Sequence, residues 1–172
     1  MYDIALSYST VKQSLVQKVY HYLRAEGLAV FFAPECQADL IGKNQREAFY
    51  DVFGKKSEYV ALFVNSNYIH GAVTMEEAEI AYATHTPDKV VAIYLDDSKL
   101  PKRLLDPKQI NYFKAKAPAL IAEQLAKKIR QERNSKVTEK EAVTDKLSSQ
   151  FHVEGNHAEK QIFAQTIGSI TL

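Results

Sequence analysis

The chain has 172 residues, enough for one hydrophobic core and a short appendage but too few for two full domains. Its 46% hydrophobic and 25% charged content is that of an ordinary globular protein, which excludes disorder throughout. A net charge of +1 supplies no field to recruit nucleic acid or an anionic membrane, leaving small molecules and proteins as the expected partners.

The segment MYDIALSYS is strand-like and carries an acid at Asp3, unlike the basic and then apolar start of a signal peptide. No apolar run approaches the roughly 20 residues needed to span a bilayer. Cys36 is the single cysteine, without a partner for a disulfide or a zinc site, so a cytoplasmic protein is expected. Ile4 to Tyr8 reads as a buried first strand, after which Thr10 and Gln13 predict a capping box. The helix it opens has Val11, Leu15, Val19 and Leu23 as its inner stripe and stops at Gly27. Leu28 to Phe32 is the second strand, and Pro34 ends it and opens a polar loop through Gly42. Asn44 and Glu47 cap the next helix, whose stripe is Ala48, Phe49, Val52 and Phe53 and whose stop is Gly54. Tyr59 to Val64 is the third strand, and a helix begins near Thr74. Val90 to Leu95 is the fourth strand, apolar on both faces and closed by Asp96 and Asp97.

Downstream the pattern weakens to a short edge strand around Ile110 to Phe113. Pro118 then suits the first turn of a last helix, in which Ile121, Leu125 and Ile129 form an apolar face with Lys128 at a basic end. This division predicts a domain over 1–130, a polar linker or solvated helix over 131–150, and a β-prone tail over 151–172. The tail carries Gly155, Asn156 and Gly168 as turn formers and ends in Ile167, Ile170 and Leu172. It is too small to fold alone and is expected to pair with the domain or with other copies.

The segments YDIALSYS, VFFAPECQADLIGKN, YVALFVNSNY, VTMEEAEIAYA and VVAIYLDDSKLPKRLLDPKQINYF, in this order, together resemble a bacterial TIR (Toll/interleukin receptor) domain. The resemblance covers about residues 1 to 130. It implies an α/β, flavodoxin-like fold: a five-stranded parallel sheet in the order 2-1-3-4-5 with helices on both faces. In such sheets ligands sit outside the carboxyl ends of the strands, where the order reverses. That crevice is expected to be lined by Ser7, Tyr8 and Ser9, by the Phe32 to Asn44 loop, and by the helix starting near Thr74.

TIR domains that cleave NAD⁺ share a Trp-Thr-x-x-Glu segment, and Val73-Thr74-Met75-Glu76-Glu77 stands in its place here. The resemblance therefore implies Glu77 as the catalytic carboxylate and NAD⁺ as substrate, with no cofactor. Its role is chemically sensible, because neutral nicotinamide departs from an oxocarbenium-like ribose that a fixed anion stabilises. Nicotinamide is already cationic in the substrate, so the leaving group needs no proton. The alternative is structural: Thr74-x-x-Glu77 is also a capping box, in which Glu77 would satisfy a backbone N–H. Glu76 is the neighbour that could be mistaken for it, pointing about 100° away on a helix.

Two positions depart from the family pattern. Val73 replaces the Trp of the catalytic segment, and Ile41 replaces a Trp common in the loop after the second strand. Tyr8 and Phe32 could replace the stacking area lost, although aromatic residues at strand ends usually belong to the core. Lys43, with the N–H groups of the helix capped by Asn44, could contact the diphosphate; a lone Lys beside a turn is otherwise simply solvated. Asp39 is a lesser candidate. His21, His70, His85, His152 and His157 show no metal-ligand or catalytic spacing, so no metal is expected.

The resemblance also implies self-assembly with other TIR copies into a homo-oligomer or filament, and a place in an antiphage or toxin-like NAD⁺-depletion system. The competing reading is a catalytically silent scaffold acting by homotypic assembly, which Val73 and Ile41 favour. A receiver domain shares the fold but needs acids at the ends of the first and third strands, where this chain has Ser-Tyr-Ser and Asn65-Ser66. No Gly-rich phosphate loop follows the first strand, which argues against a nucleotide triphosphatase.

Overall fold

In the computed structural model, residues 1–105, 110 and 112–135 are described. Five parallel strands, β1 (Tyr2–Tyr8), β2 (Val30–Phe31), β3 (Ser57–Val64), β4 (Val90–Tyr94) and β5 (Tyr112–Lys114), pair in the order β2-β1-β3-β4-β5. This is the flavodoxin-like sheet, with Ile4 opposite both Val30 and Tyr59, Val60 opposite Val90, and Ala92 opposite Tyr112. The chain leaves β1 toward β2 on one side and returns to β3 on the other, so a crevice opens at the carboxyl ends of β1 and β3. The helices are α1 (Gln13–Ala25), α2 (Gln37–Leu40), α3 (Gln45–Asp51), α4 (Ser66–His70), α5 (Ala72–Thr84) and α6 (118–135).

Residues 1–128 form one compact unit, and a second begins at Ile129, of which 129–135 are described, as helix. The expected linker beyond residue 135 and the whole expected tail, 151–172, lie outside the described residues. Among the described residues no helix is long and apolar enough to cross a membrane.

The central strands are buried on both faces, Ile4–Leu6, Tyr59–Val64 and Val90–Tyr94 alike, which is why they read as continuous apolar runs rather than alternating ones. Period two then sorts their side chains. Ala5 shares an apolar cluster with Ala78 and Ala81 of α5, and Ser7, two residues on, faces the same way nearer the carboxyl end. Because α5 follows β3 and leads back to β4, it runs opposite to the strands, and its first turns lie at their carboxyl tips.

Several expectations need correction. The Thr10–Gln13 capping box is not formed: Thr10–Lys12 is a 3₁₀ turn, and neither Ser9 nor Lys12 caps with its side chain. A 3₁₀ turn winds three residues per turn, so the helical phase shifts behind it. The buried stripe of α1 is Val16, Val19 and Leu23, and Val11 is 61% exposed. Gly27 does end this helix, at φ +81°, with its own N–H on the Arg24 carbonyl and the Leu28 N–H on the Leu23 carbonyl. Ladder pairing in the second strand is confined to Val30–Phe31, although Leu28 and Phe32 are buried beside it. The loop behind Pro34 is not wholly irregular but holds a 3₁₀ turn, Ala33–Cys36, and α2.

Asn44 caps α3 as expected, accepting from the N–H groups of Arg46 and Glu47. Gly54 does not stop the helical path, which continues as a π-helical turn over Val52–Lys56 and passes directly into β3 at Ser57. What Gly54 provides is closeness: a Cβ there would lie 3.3 Å from Ile80 Cγ2 of α5. The short helix α4 was not foreseen, and α5 starts at Ala72, ahead of Thr74. The edge strand runs Tyr112–Lys114, slightly later than expected, and α6 begins at 118, burying Ile121, Ala122, Leu125 and Ala126 within the first unit.

Candidate active site

The inner face of α5 is made by Thr74, Glu77, Ala78 and Ala81, all buried. Helical spacing puts these four on one stripe, so a carboxylate occupies a position that packing alone would give to an apolar side chain. Glu77 is 7% exposed, and its Oε2 accepts a hydrogen bond of 2.5 Å from Ser7 Oγ of β1. The Ser7 hydroxyl also lies 2.6 Å from the Tyr68 hydroxyl of α4, so three side chains from three elements meet at the tip of the first strand. Among the described residues no cation pairs with Glu77.

The capping alternative is not what forms. Gly71 precedes the helix, Met75 N–H closes its first bond onto the Gly71 carbonyl, and Glu77 makes its hydrogen bond across the fold rather than to its own backbone. Thr74 Oγ1 turns back to donate to the Tyr68 carbonyl at 2.6 Å, with the Gly71 carbonyl at 3.0 Å.

Removal from water raises the Glu77 carboxyl from 4.5 to about 7; the Ser7 hydrogen bond opposes the rise and the Glu76 charge adds to it. Tyr8 is pushed up to about 12 by its own burial and then by the Glu77 charge, which places its hydroxyl within the carboxylate's field. Tyr8 and Glu77 line one cavity of about 150 Å³ together with Thr10, Ala33, Phe49 and Phe53. It lies where β1 and β2 end, at the rim of the crevice expected from the sheet order.

The other residues expected at the site divide into those gathered there and those placed elsewhere. Ser9 sits beside it, donating to Asn65 Oδ1 at 2.9 Å, and the same oxygen caps α4 through the Tyr68 N–H. Thr74 lies one turn before Glu77 and braces Tyr68. Phe32 is completely buried, sandwiched between the rings of Tyr8 and Tyr20 at 5.5 and 5.2 Å; it supports Tyr8 and offers no face to a ligand. Lys43 and Asn44 do not line the Glu77 cavity. They border a separate groove of about 1100 Å³ between α3 and α5, with Arg46, Asp51, Lys55, Lys56, Glu76 and Glu79. Two N–H groups of α3 are already taken by the Asn44 side chain, which leaves that helix less able to hold a diphosphate than expected. Ile41 is 79% exposed and Val73 43% exposed, neither lining the small cavity. Asp39 borders a third cavity, of about 250 Å³, with Tyr2, Lys43 and Lys56.

Tyr68, Asn65, Phe49 and Phe53 were not singled out from the sequence as site residues. Asn65 followed by Tyr68 is an N-cap spacing, and Phe49 with Phe53 is an i, i+4 pair, so both signals existed without saying where they would point. Among the described residues no group of three or more His, Cys, Asp or Glu side chains could hold a metal ion.

Comparison with known proteins agrees with this architecture. A family model described as TIR domain matches residues 4–135. A curated relative, the 3′ cyclic ADP-D-ribose synthase AaTIR of Aquimarina amphilecti, is 29% identical over 103 residues, which are 58% of this chain and 32% of that protein. The match thus spans about a third of that relative's length. Among solved structures, the TIR domain of the Toll-related receptor TRR-2 from Hydra magnipapillata superposes with a TM-score of 0.61 at 14% identity, covering 76% of this chain and 99% of that one. At that identity the likeness concerns the fold alone.

Proposed function

The chain belongs to the TIR domain family, and from that membership we propose that it cleaves the bond between nicotinamide and ribose in NAD⁺, with Glu77 as the catalytic carboxylate. The observation that carries this reading is a buried Glu77 at the strand tips, hydrogen-bonded across the fold to Ser7 and without a cation among the described residues. A carboxylate kept out of water and left without a positive partner is an energetic liability to the fold, and a cationic ligand relieves it. As the glycosidic bond lengthens, positive charge moves from the nicotinamide ring to the ribose, and Glu77 stabilises it there and accepts from the ribose hydroxyls. Tyr8, held by Phe32, offers one wall for the ring. That a relative 29% identical over 103 residues is a 3′ cyclic ADP-D-ribose synthase supports the same bond being broken; whether water or a ribose hydroxyl then captures the cation distinguishes hydrolysis from cyclisation.

A cavity of about 150 Å³ accommodates one end of a dinucleotide, not the whole. We therefore include in the reading a second copy covering the remainder, with the exposed Ile41 in the loop after β2 as its apolar contact. Activation by assembly in this way suits an NAD⁺-depletion or signalling system of the antiphage or toxin-like kind. The second reading, a silent scaffold, is favoured by Val73 and Ile41, which leave apolar surface but no aromatic plane where a base could stack.

Concentrated protein incubated with NAD⁺, with free nicotinamide followed by chromatography beside the Glu77→Gln variant and with particle size followed by light scattering, separates the two. Release that disappears in the folded variant supports the enzyme. Assembly without any release supports the scaffold.

A further inference from the structure

Ser7 and Tyr68 form with Glu77 a chain of hydroxyls ending on the carboxylate. An ionised carboxylate can only accept, so Ser7 Oγ–H must donate to Glu77 Oε2. The single serine proton is then used, and the Tyr68 hydroxyl, 2.6 Å from Ser7 Oγ, must donate to it. Ionised Glu77 thus imposes one direction on the whole relay, from α4 through β1 to α5.

Tyr68 is held in place from several sides by neighbours of the site. Its N–H donates to Asn65 Oδ1, which also receives the Ser9 hydroxyl; its carbonyl receives Thr74 Oγ1; its ring is completely buried. Gly71 makes room for that brace, since a Cβ at that position would lie 2.5 Å from Thr74 Oγ1. Little freedom is left for the phenol to swing away, and through it the Ser7 hydroxyl is aimed at position 77.

From this geometry we infer that Ser7 and Tyr68 are positioning residues for Glu77: they hold its carboxylate in one orientation and favour its ionised form within an apolar cavity. The assignment rests on the reading of Glu77 as the catalytic group only for its consequence in turnover. The relay is otherwise a property of the folded chain. Ser7, expected from the sequence to touch substrate, acts instead through Glu77.

The electrostatic surroundings make the relay matter. Facing Glu77 are two neutral phenols, Tyr8 from β1 and Tyr68 from α4, while Glu76 on the same helix repels its charge. The rest of the cavity, Leu6, Thr10, Phe31, Ala33, Phe49 and Phe53, carries no charge. The Ser7 hydroxyl is therefore the group that favours the anion against burial, and removing it moves the carboxyl further toward its protonated form.

The test follows the Glu77 side-chain carboxyl by ¹³C NMR through a pH titration in the full chain and in the Ser7→Ala and Tyr68→Phe variants, beside the pH profile of nicotinamide release. Ser7→Ala is expected to move the Glu77 midpoint up by about one pH unit. Release at pH 7 then falls about fivefold and recovers at pH 9, as expected when the ionised fraction drops from a half to about a tenth. Tyr68→Phe is expected to give a smaller shift in the same direction, because it frees the serine without deleting it. An unchanged midpoint in folded Ser7→Ala overturns the proposal, as does a loss of release that no rise in pH restores. Should Ser7→Ala fail to fold, Tyr68→Phe, which keeps the ring, decides by the same midpoint. A shifted midpoint in a chain that never releases nicotinamide upholds the positioning role and sinks the catalytic reading of Glu77.

Discussion

Glu76 and Glu77 are adjacent in sequence and meet opposite environments. Glu76 turns into the wide groove between α3 and α5, where its carboxylate pairs with Arg46 at 2.6 Å in a setting open to water. Glu77, about 100° round the same helix, is buried against Ser7 with Tyr8 and Tyr68 as its titratable neighbours from other elements. The first groove is some seven times larger, yet its charges are mutually compensated and solvated, which leaves little for a ligand to gain. The second is small, and its one carboxylate is desolvated and uncompensated by any cation among the described residues. Volume ranks the two sites one way and electrostatics the other. For charge-stabilised bond cleavage the electrostatic ranking decides, because a field from a desolvated anion is not screened by water.

The sharpest separation of the two carboxylates is turnover. Glu77→Gln is expected to lower nicotinamide release by on the order of 100-fold or more, whereas Glu76→Gln should stay within about twofold of the parent, as for a solvated surface pair. Equal losses in both variants would erase the distinction. In the parent, kcat/KM should rise with pH and level off above about 7, the value at which free Glu77 ionises. A profile flat from pH 5 to 9 would mean that ionised Glu77 is not the working form.

Stability gives the next largest contrast, with a definite sign. Below about pH 4.5 both folded and unfolded chains hold the Glu77 proton and its burial has no charge penalty. Between 4.5 and 7 the unfolded chain releases that proton while the folded one retains it, so folding loses about 3 kcal/mol as the pH passes 7. Glu77→Gln lacks this loss. Its stability relative to the parent, measured by urea unfolding, should therefore improve by that amount from pH 4 to pH 8, and a difference independent of pH would contradict the buried, unpaired carboxylate.

Smaller effects probe the surroundings. Gly71→Ala should destabilise by about 1–3 kcal/mol, because its Cβ displaces the Thr74 hydroxyl from the Tyr68 carbonyl. Thermal melts showing no change would mean that this brace is dispensable. Smallest of all is the exposed partner of the comparison: a double-mutant cycle on Arg46 and Glu76 should return under about 1 kcal/mol, diminishing in salt. A larger coupling would show that the wide groove is less solvated than its geometry indicates.

Much of the architecture could be read directly from residue patterns. The apolar runs at 4–8, 59–64 and 90–95 became β1, β3 and β4, and the Gly27, Asn44 and Pro118 signals marked the boundaries expected of them. What failed were local rules overruled by packing. Gly54 signals a helix stop, but the chain uses it for close approach to α5 and winds past it as a π-helical turn. Thr10 and Gln13 match a capping box, yet a 3₁₀ turn intervenes and rotates the buried stripe to Val16, Val19 and Leu23. Within the site, Glu77 was legible as a candidate, whereas its burial and its partners were not.

Periods of two and of about 3.6 residues are local properties, so the sequence by itself determined the succession of strands and helices and the need to cover both faces of the sheet. The resemblance added the strand order and the carboxylate to examine. Only the tertiary structure decided that Thr74 braces Tyr68 rather than capping a helix, and that Ser7 and Tyr68 converge on Glu77. Those contacts join residues 61 and 70 positions apart. Their geometry depends on the pairing of β1 with β3 and on how deeply α4 and α5 settle against that sheet, which no pattern within a single segment encodes.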